Sequence, residues 1–85
     1  MEAIKYECKL TLPLMERTIE NIGEQYKINN VPYIKSYKYL TLLKCKVDEA
    51  NIYIQRMKTR EDRNGFIKIT TEFHKLAAEA ILAMK

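Results

Sequence analysis

Residues 3–13 read "AIKYECKLTLP", and whether they form a strand or a helix decides the fold class of this chain. Ile4, Tyr6, Cys8, Leu10 and Leu12 alternate with Lys5, Glu7, Lys9 and Thr11. A period of two predicts a half-buried strand over Ala3–Leu12. A lone strand needs a partner for its backbone groups. The candidates are a short strand at Phe66–Ile69 or the same strand from a second chain.

Outward from this stretch the period changes. Thr11 can cap a helix, with Pro13 tolerated in its first turn. Leu12, Met15, Ile19, Ile22 and Tyr26 recur at intervals of three and four, which predicts a helix from about Leu12 to Lys27. Gly23 weakens its last turns by roughly 1 kcal/mol relative to Ala, and "INNVP" (28–32) ends it. Beyond that, Tyr33, Tyr37, Leu40, Leu43, Val47, Ala50, Ile54 and Met57 keep helical spacing. A competing strand pattern over Tyr37–Val47 leaves Leu40 and Leu42 among lysines, so the helical template fits better. Unbroken to about Arg60, this helix spans on the order of 40 Å, long against a mean of about 11–12 residues. Such a helix predicts self-association, through Leu40, Leu43, Val47, Ala50, Ile54 and Met57.

The stretch "KTREDRNGFIKIT" (58–70) holds the sharpest turn signal. Asn64-Gly65 favours a two-residue hairpin, which suggests a wing. A hairpin needs two strands, and "KTREDR" has no apolar residue to face a core. Lys58–Arg63 therefore reads as the basic end of the long helix, Gly65 as its left-handed stop, and "FIKI" as an extended link. Residues 64–77, "NGFIKITTEFHKLA", resemble the wing and following helix of excisionase-type proteins. The upstream helices lack the short helix-turn-helix spacing of those proteins, so nothing is carried over. A last helix, capped by Thr70 or Thr71, presents Phe73, Leu76, Ala77, Ala80, Ile81 and Met84. The expected fold is mainly α: one domain over residues 1–85, with an N-terminal β-strand, three helices including a long central one, and a two-stranded pairing with residues 66–69.

Eighty-five residues make one small domain, with 47% apolar and 31% charged residues. A chain this short buries only about 60% of its unfolded surface and gains from a staple or a partner. Cys8 and Cys45 stand apart from each other, at no metal-ligand spacing, and read as free thiols in a reducing cytoplasm. The N-terminus has no signal-peptide core, and no run is long enough to span a bilayer. The net charge of +4 is mild and concentrates between Arg56 and Lys68, short of a nucleic-acid tail.

Catalysis lacks its parts. The lone serine, Ser36, has no acid nearby, and the lone histidine, His74, reads as a boundary residue. Glu16, Glu20 and Glu24 at four-residue intervals read as a solvated helix face rather than an acid–base pair. Gly23 and Gly65 cannot build a phosphate loop, and neither cofactor nor metal nor small-molecule substrate is expected. Six tyrosines and no tryptophan are the odd component. Tyr33, Tyr37 and Tyr39 interleave with Lys35 and Lys38, a pattern that suits protein interfaces and single-stranded nucleic acid alike. The favoured function is a non-enzymatic interaction protein, of the accessory or inhibitor kind carried by phages and mobile elements. It acts as a homo-oligomer that binds or occludes a protein partner, with no membrane involved. The rival is a small DNA- or RNA-binding regulator using Lys44, Lys46, Arg56, Lys58, Arg60, Arg63 and Lys68.

Overall fold

Ile4, Cys8, Leu12, Met15, Ile19, Ile22 and Tyr26 follow one another at intervals of three and four, and all seven pack into one core from a single helix. The computed structural model describes residues 2–84. It contains α1 (Glu2–Ile28), α2 (Tyr33–Gln55) and α3 (Arg60–Leu82). Among the described residues there is no strand, which overturns both the predicted strand at Ala3–Leu12 and its pairing with residues 66–69. The physical reason lies in the spacing. Positions 4, 8 and 12 satisfy a period of two and also step about one helical turn at a time. Tyr6 and Leu10, which completed the alternation, are 63% and 54% exposed. Pro13 is therefore not at a helix start but well inside α1. There it forfeits one backbone hydrogen bond and crowds the carbonyl of Lys9.

The end of α1 follows "INNVP" as expected. Asn30 takes a left-handed conformation, φ 54°, which asparagine tolerates better than most residues. The Val31 N–H donates to the Tyr26 carbonyl at 3.0 Å and the Asn30 N–H to that of Lys27 at 3.2 Å. This is a Schellman stop, and Val31 packs beside Tyr26 against the core as that motif favours.

The α2–α3 joint lies earlier than expected. α2 stops at Gln55, with Met57 buried just beyond it. Thr59 opens α3 through a capping box. Its hydroxyl accepts from the Asp62 N–H at 3.2 Å, and the Asp62 carboxylate accepts from the N–H groups of Thr59 at 3.0 Å and Lys58 at 2.8 Å. Thr-x-x-Asp satisfies the donors that a helix start leaves open. Lys58–Arg63 is thus not the end of a long helix, and Gly65 is not a stop. Gly65 lies inside α3 with a negative φ. A β-carbon there would come within 2.5 Å of the Tyr53 ring, so α2 and α3 meet closely at this point. "FIKI" is helical, with Phe66 and Ile69 buried, so no wing forms. Thr70 and Thr71 cap nothing; both hydroxyls donate back to the Ile67 carbonyl, at 2.8 and 3.0 Å.

The three helices are of similar length, and the molecule measures 44 × 17 × 15 Å. α2 packs along both neighbours, while α1 and α3 touch less. Phe73, Met15, Leu43 and Ile54 are the largest fully buried side chains. Each such residue stabilises by about 1.5–3 kcal/mol through burial. Two polar ties hold the end where α1 finishes. The Tyr26 hydroxyl donates to the Ala80 carbonyl at 2.7 Å, and Lys35 Nζ donates to the Ala83 carbonyl at 3.0 Å. Both satisfy acceptors in the last turns of α3, where carbonyls lose their helical partners.

Candidate functional site

α1 and α2 diverge over a groove of about 680 Å³ whose lining contains no residue of α3. Its floor is apolar and includes Ile19, Tyr26, Val31 and Leu40. Gly23 deepens it, because a β-carbon there would meet only Leu40 Cδ1, at 3.9 Å. The α2 wall is aromatic: the Tyr33 and Tyr37 rings stack with centroids 5.9 Å apart. Tyr33 is 77% exposed and the adjacent Ile34 is 82% exposed. Ile28, at the end of α1, is likewise exposed. A second groove of about 420 Å³ shares Ile19, Glu20 and Lys44 with the first and extends it along α1 to Glu16 and across to Asp48 on α2.

The rim of this combined groove is charged. Glu16, Glu20 and Glu24 stand one turn apart along α1, and Asp48 stands opposite on α2; Lys27 and Lys44 are the two cations. Among the described residues, the ion pairs are those of Lys46, with Glu72 at 2.7 Å and Glu49 at 3.4 Å. Among the described residues, the rim carboxylates have no such partner. The Lys46–Glu72 pair favours the charged form of both groups. The Glu72 hydrogen bond raises the Lys46 pKa, and Lys46 lowers that of Glu72.

Of the sequence candidates, Tyr33 and Tyr37 come together at the groove. Tyr39 does not: it packs partly buried against the core, with Lys38 Nζ 5.6 Å from its ring centroid. Arg56, Lys58, Arg60 and Arg63 surround the α2–α3 turn, all exposed, and Lys68 lies further along α3. Lys44 belongs to the groove and Lys46 is engaged by its carboxylates. Leu43, Ala50, Ile54 and Met57 lie in the chain's own core, and Leu40 and Val47 pack against it. Ser36 lies in the groove on α2, and His74 is exposed on α3 with its ring edge-on to Phe73 at 5.8 Å. Cys8 and Cys45 are both free, the first buried and the second exposed. Burial raises the Cys8 pKa, and the charge of Arg63 opposes that rise.

Sequence reasoning missed the groove as a whole. The glutamate spacing was visible but carries no information about what faces it. Ile34 and Ile28 gave no signal beyond being apolar next to a turn. A second exposed apolar row, Tyr6, Leu10 and Leu14, repeats every fourth residue on the outward side of α1. No group of three or more potential metal ligands occurs among the described residues, and no helix there is long and apolar enough to cross a membrane. No protein-family model, no curated protein and no solved structure matches the chain.

Proposed function

We propose that this is a non-enzymatic protein-interaction module whose partner binds the tyrosine-walled α1/α2 groove. The observation that carries the reading is exposed apolar surface gathered at one concave place. Tyr33 and Ile34 are more than three-quarters exposed beside the 680 Å³ groove. Large exposed apolar patches with polar rims are where soluble proteins meet partners. Tyrosine suits that role because its ring is apolar and its hydroxyl tolerates water. The carboxylates beside the tyrosines speak against nucleic acid in this groove, since they would repel phosphates.

The rival reading, a nucleic-acid regulator, rests on a different surface. Arg56, Lys58, Arg60 and Arg63 are all exposed around the α2–α3 turn, and side chains of this kind make phosphate contacts. One experiment separates the two. A photo-crosslinking residue replaces Ile34 in one variant and Arg63 in another, and both are irradiated in cells of the source organism. Protein adducts from position 34 alone support the groove. Nucleic-acid adducts from position 63, with none from position 34, would replace this reading with the rival. That rival further requires binding that weakens steeply with salt.

A further inference from the structure

We propose that the occupant of the groove is a basic amphipathic helix of about three turns, docked as a fourth helix on the side away from α3. The inference rests on the reading of the groove as the partner site and names the class of partner.

The first step concerns backbone chemistry. Both walls of the groove are helices, so beyond the first N–H groups of α2 their backbone groups are spent within α1 and α2. The groove offers no sheet edge, and a bound segment cannot extend a strand ladder there. It must satisfy its own backbone groups away from water, which a helix does alone. The second step concerns size. From Glu16 to Lys27 the groove follows α1 for about 16 Å, or three helical turns. An apolar floor of that length takes anchors spaced three and four residues apart.

The third step concerns charge. Four carboxylates face two ammonium groups around the rim, while the whole chain carries +4. The groove is thus an acidic place on a basic molecule. Basic residues flanking the ligand's apolar stripe would meet Glu16, Glu20, Glu24 and Asp48. Such complementarity gives specificity and orientation more than raw affinity. It also gives a clean discriminant, because long-range attraction to the whole protein favours an acidic ligand. Preference for a basic one must come from the local rim.

The test uses two labelled sixteen-residue helical peptides with the same leucine stripe, one flanked by lysines and one by glutamates. Binding is followed by fluorescence anisotropy at moderate salt, and the site is mapped by amide shift changes in the full chain. The lysine peptide is expected to bind at least tenfold tighter, with shifts at Ile19, Gly23, Tyr33, Tyr37 and Leu40. Glu20→Lys with Glu24→Lys should erase or reverse the preference. Gly23→Leu, which fills the floor, should abolish binding while the circular dichroism spectrum is kept. Equal binding of both peptides in the groove would overturn the basic helix and leave the groove as partner site. Shifts confined to Tyr6, Leu10 and Leu14, or to no surface at all, would overturn both. Concentration-dependent shifts at the groove without any peptide would also overturn it, by making a second copy the occupant.

Discussion

Asp62 and Gly65, three residues apart in the middle of the most basic stretch, determine how α2 and α3 are joined. The N–H groups of Lys58 and then Thr59 hold the Asp62 carboxyl below the ordinary aspartate range. A depressed folded-state pKa means that this contribution is fully present above the unfolded value, about 3.9, and is lost as pH falls through the lower folded value. The first turn of α3 should therefore loosen only in strong acid. Amide shifts of Lys58 and Thr59 should report the transition, and Asp62→Asn should remove it; an unchanged titration in that variant would show that another acid is responsible. Gly65 works by size. Its missing β-carbon leaves room for the Tyr53 ring, which a substitution would press at 2.5 Å. Gly65→Ala is expected to destabilise by about 1 kcal/mol when Tyr53 is present, because the displaced ring loses its packing. In a Tyr53→Ala background the same change should stabilise by about 1 kcal/mol, the ordinary helical gain over glycine. Urea denaturation of the four proteins measures the coupling, and identical effects in both backgrounds would mean that ring and backbone do not touch.

At the scale of the element, α1 is the instructive case. A continuous helix places Pro13 in its interior, whereas a strand followed by a helix places it harmlessly in a first turn. Pro13→Ala should thus stabilise by about 2–3 kcal/mol in chemical denaturation. No gain would indicate a helix that begins near Leu12. Half of α1 was legible because Met15, Ile19, Ile22 and Tyr26 admit only the helical period. The other half was not, because Ile4, Cys8 and Leu12 admit both, and the outward Tyr6 and Leu10 broke the tie toward a strand. Amphipathicity identifies a face only when the opposite face is polar, and here it is not. The joint at residues 56–59 was legible in principle from Thr59-x-x-Asp62, but the surrounding charges fit a helix end equally well. The α2 stripe is helical from Leu40 to Ile54, Met57 lies just past the helix end, and the stripe packs in or against the core of one chain. α2 is no longer than its neighbours, so its length does not single it out for self-association. At the groove, Tyr33 and Tyr37 were legible from composition. The acidic rim and the part played by Gly23 were not, because both depend on which side of α1 meets α2.

Across the whole molecule, stability is not uniform, and the cysteines can measure it. α1 contributes Met15, Ile19, Ile22 and Tyr26 to the core from its second half, but only Cys8 is buried before Pro13. The first half also loses a backbone hydrogen bond at that proline. Few buried contacts and a weakened ladder are the conditions for local opening below the free energy of global unfolding. Cys45 is exposed and Cys8 buried, and burial further suppresses the Cys8 thiolate, the species that reacts. In a Cys45→Ser variant, a thiol reagent therefore reads only the openings that uncover Cys8. Their free energy should lie more than about 1 kcal/mol below that of global unfolding, with a shallower dependence on urea, because less surface is exposed. Pro13→Ala should slow the labelling by restoring the ladder. If Cys8 labelling instead shared the urea dependence of global unfolding, the first half of α1 would belong to the same cooperative unit as α2 and α3, and the three helices would stand or fall together.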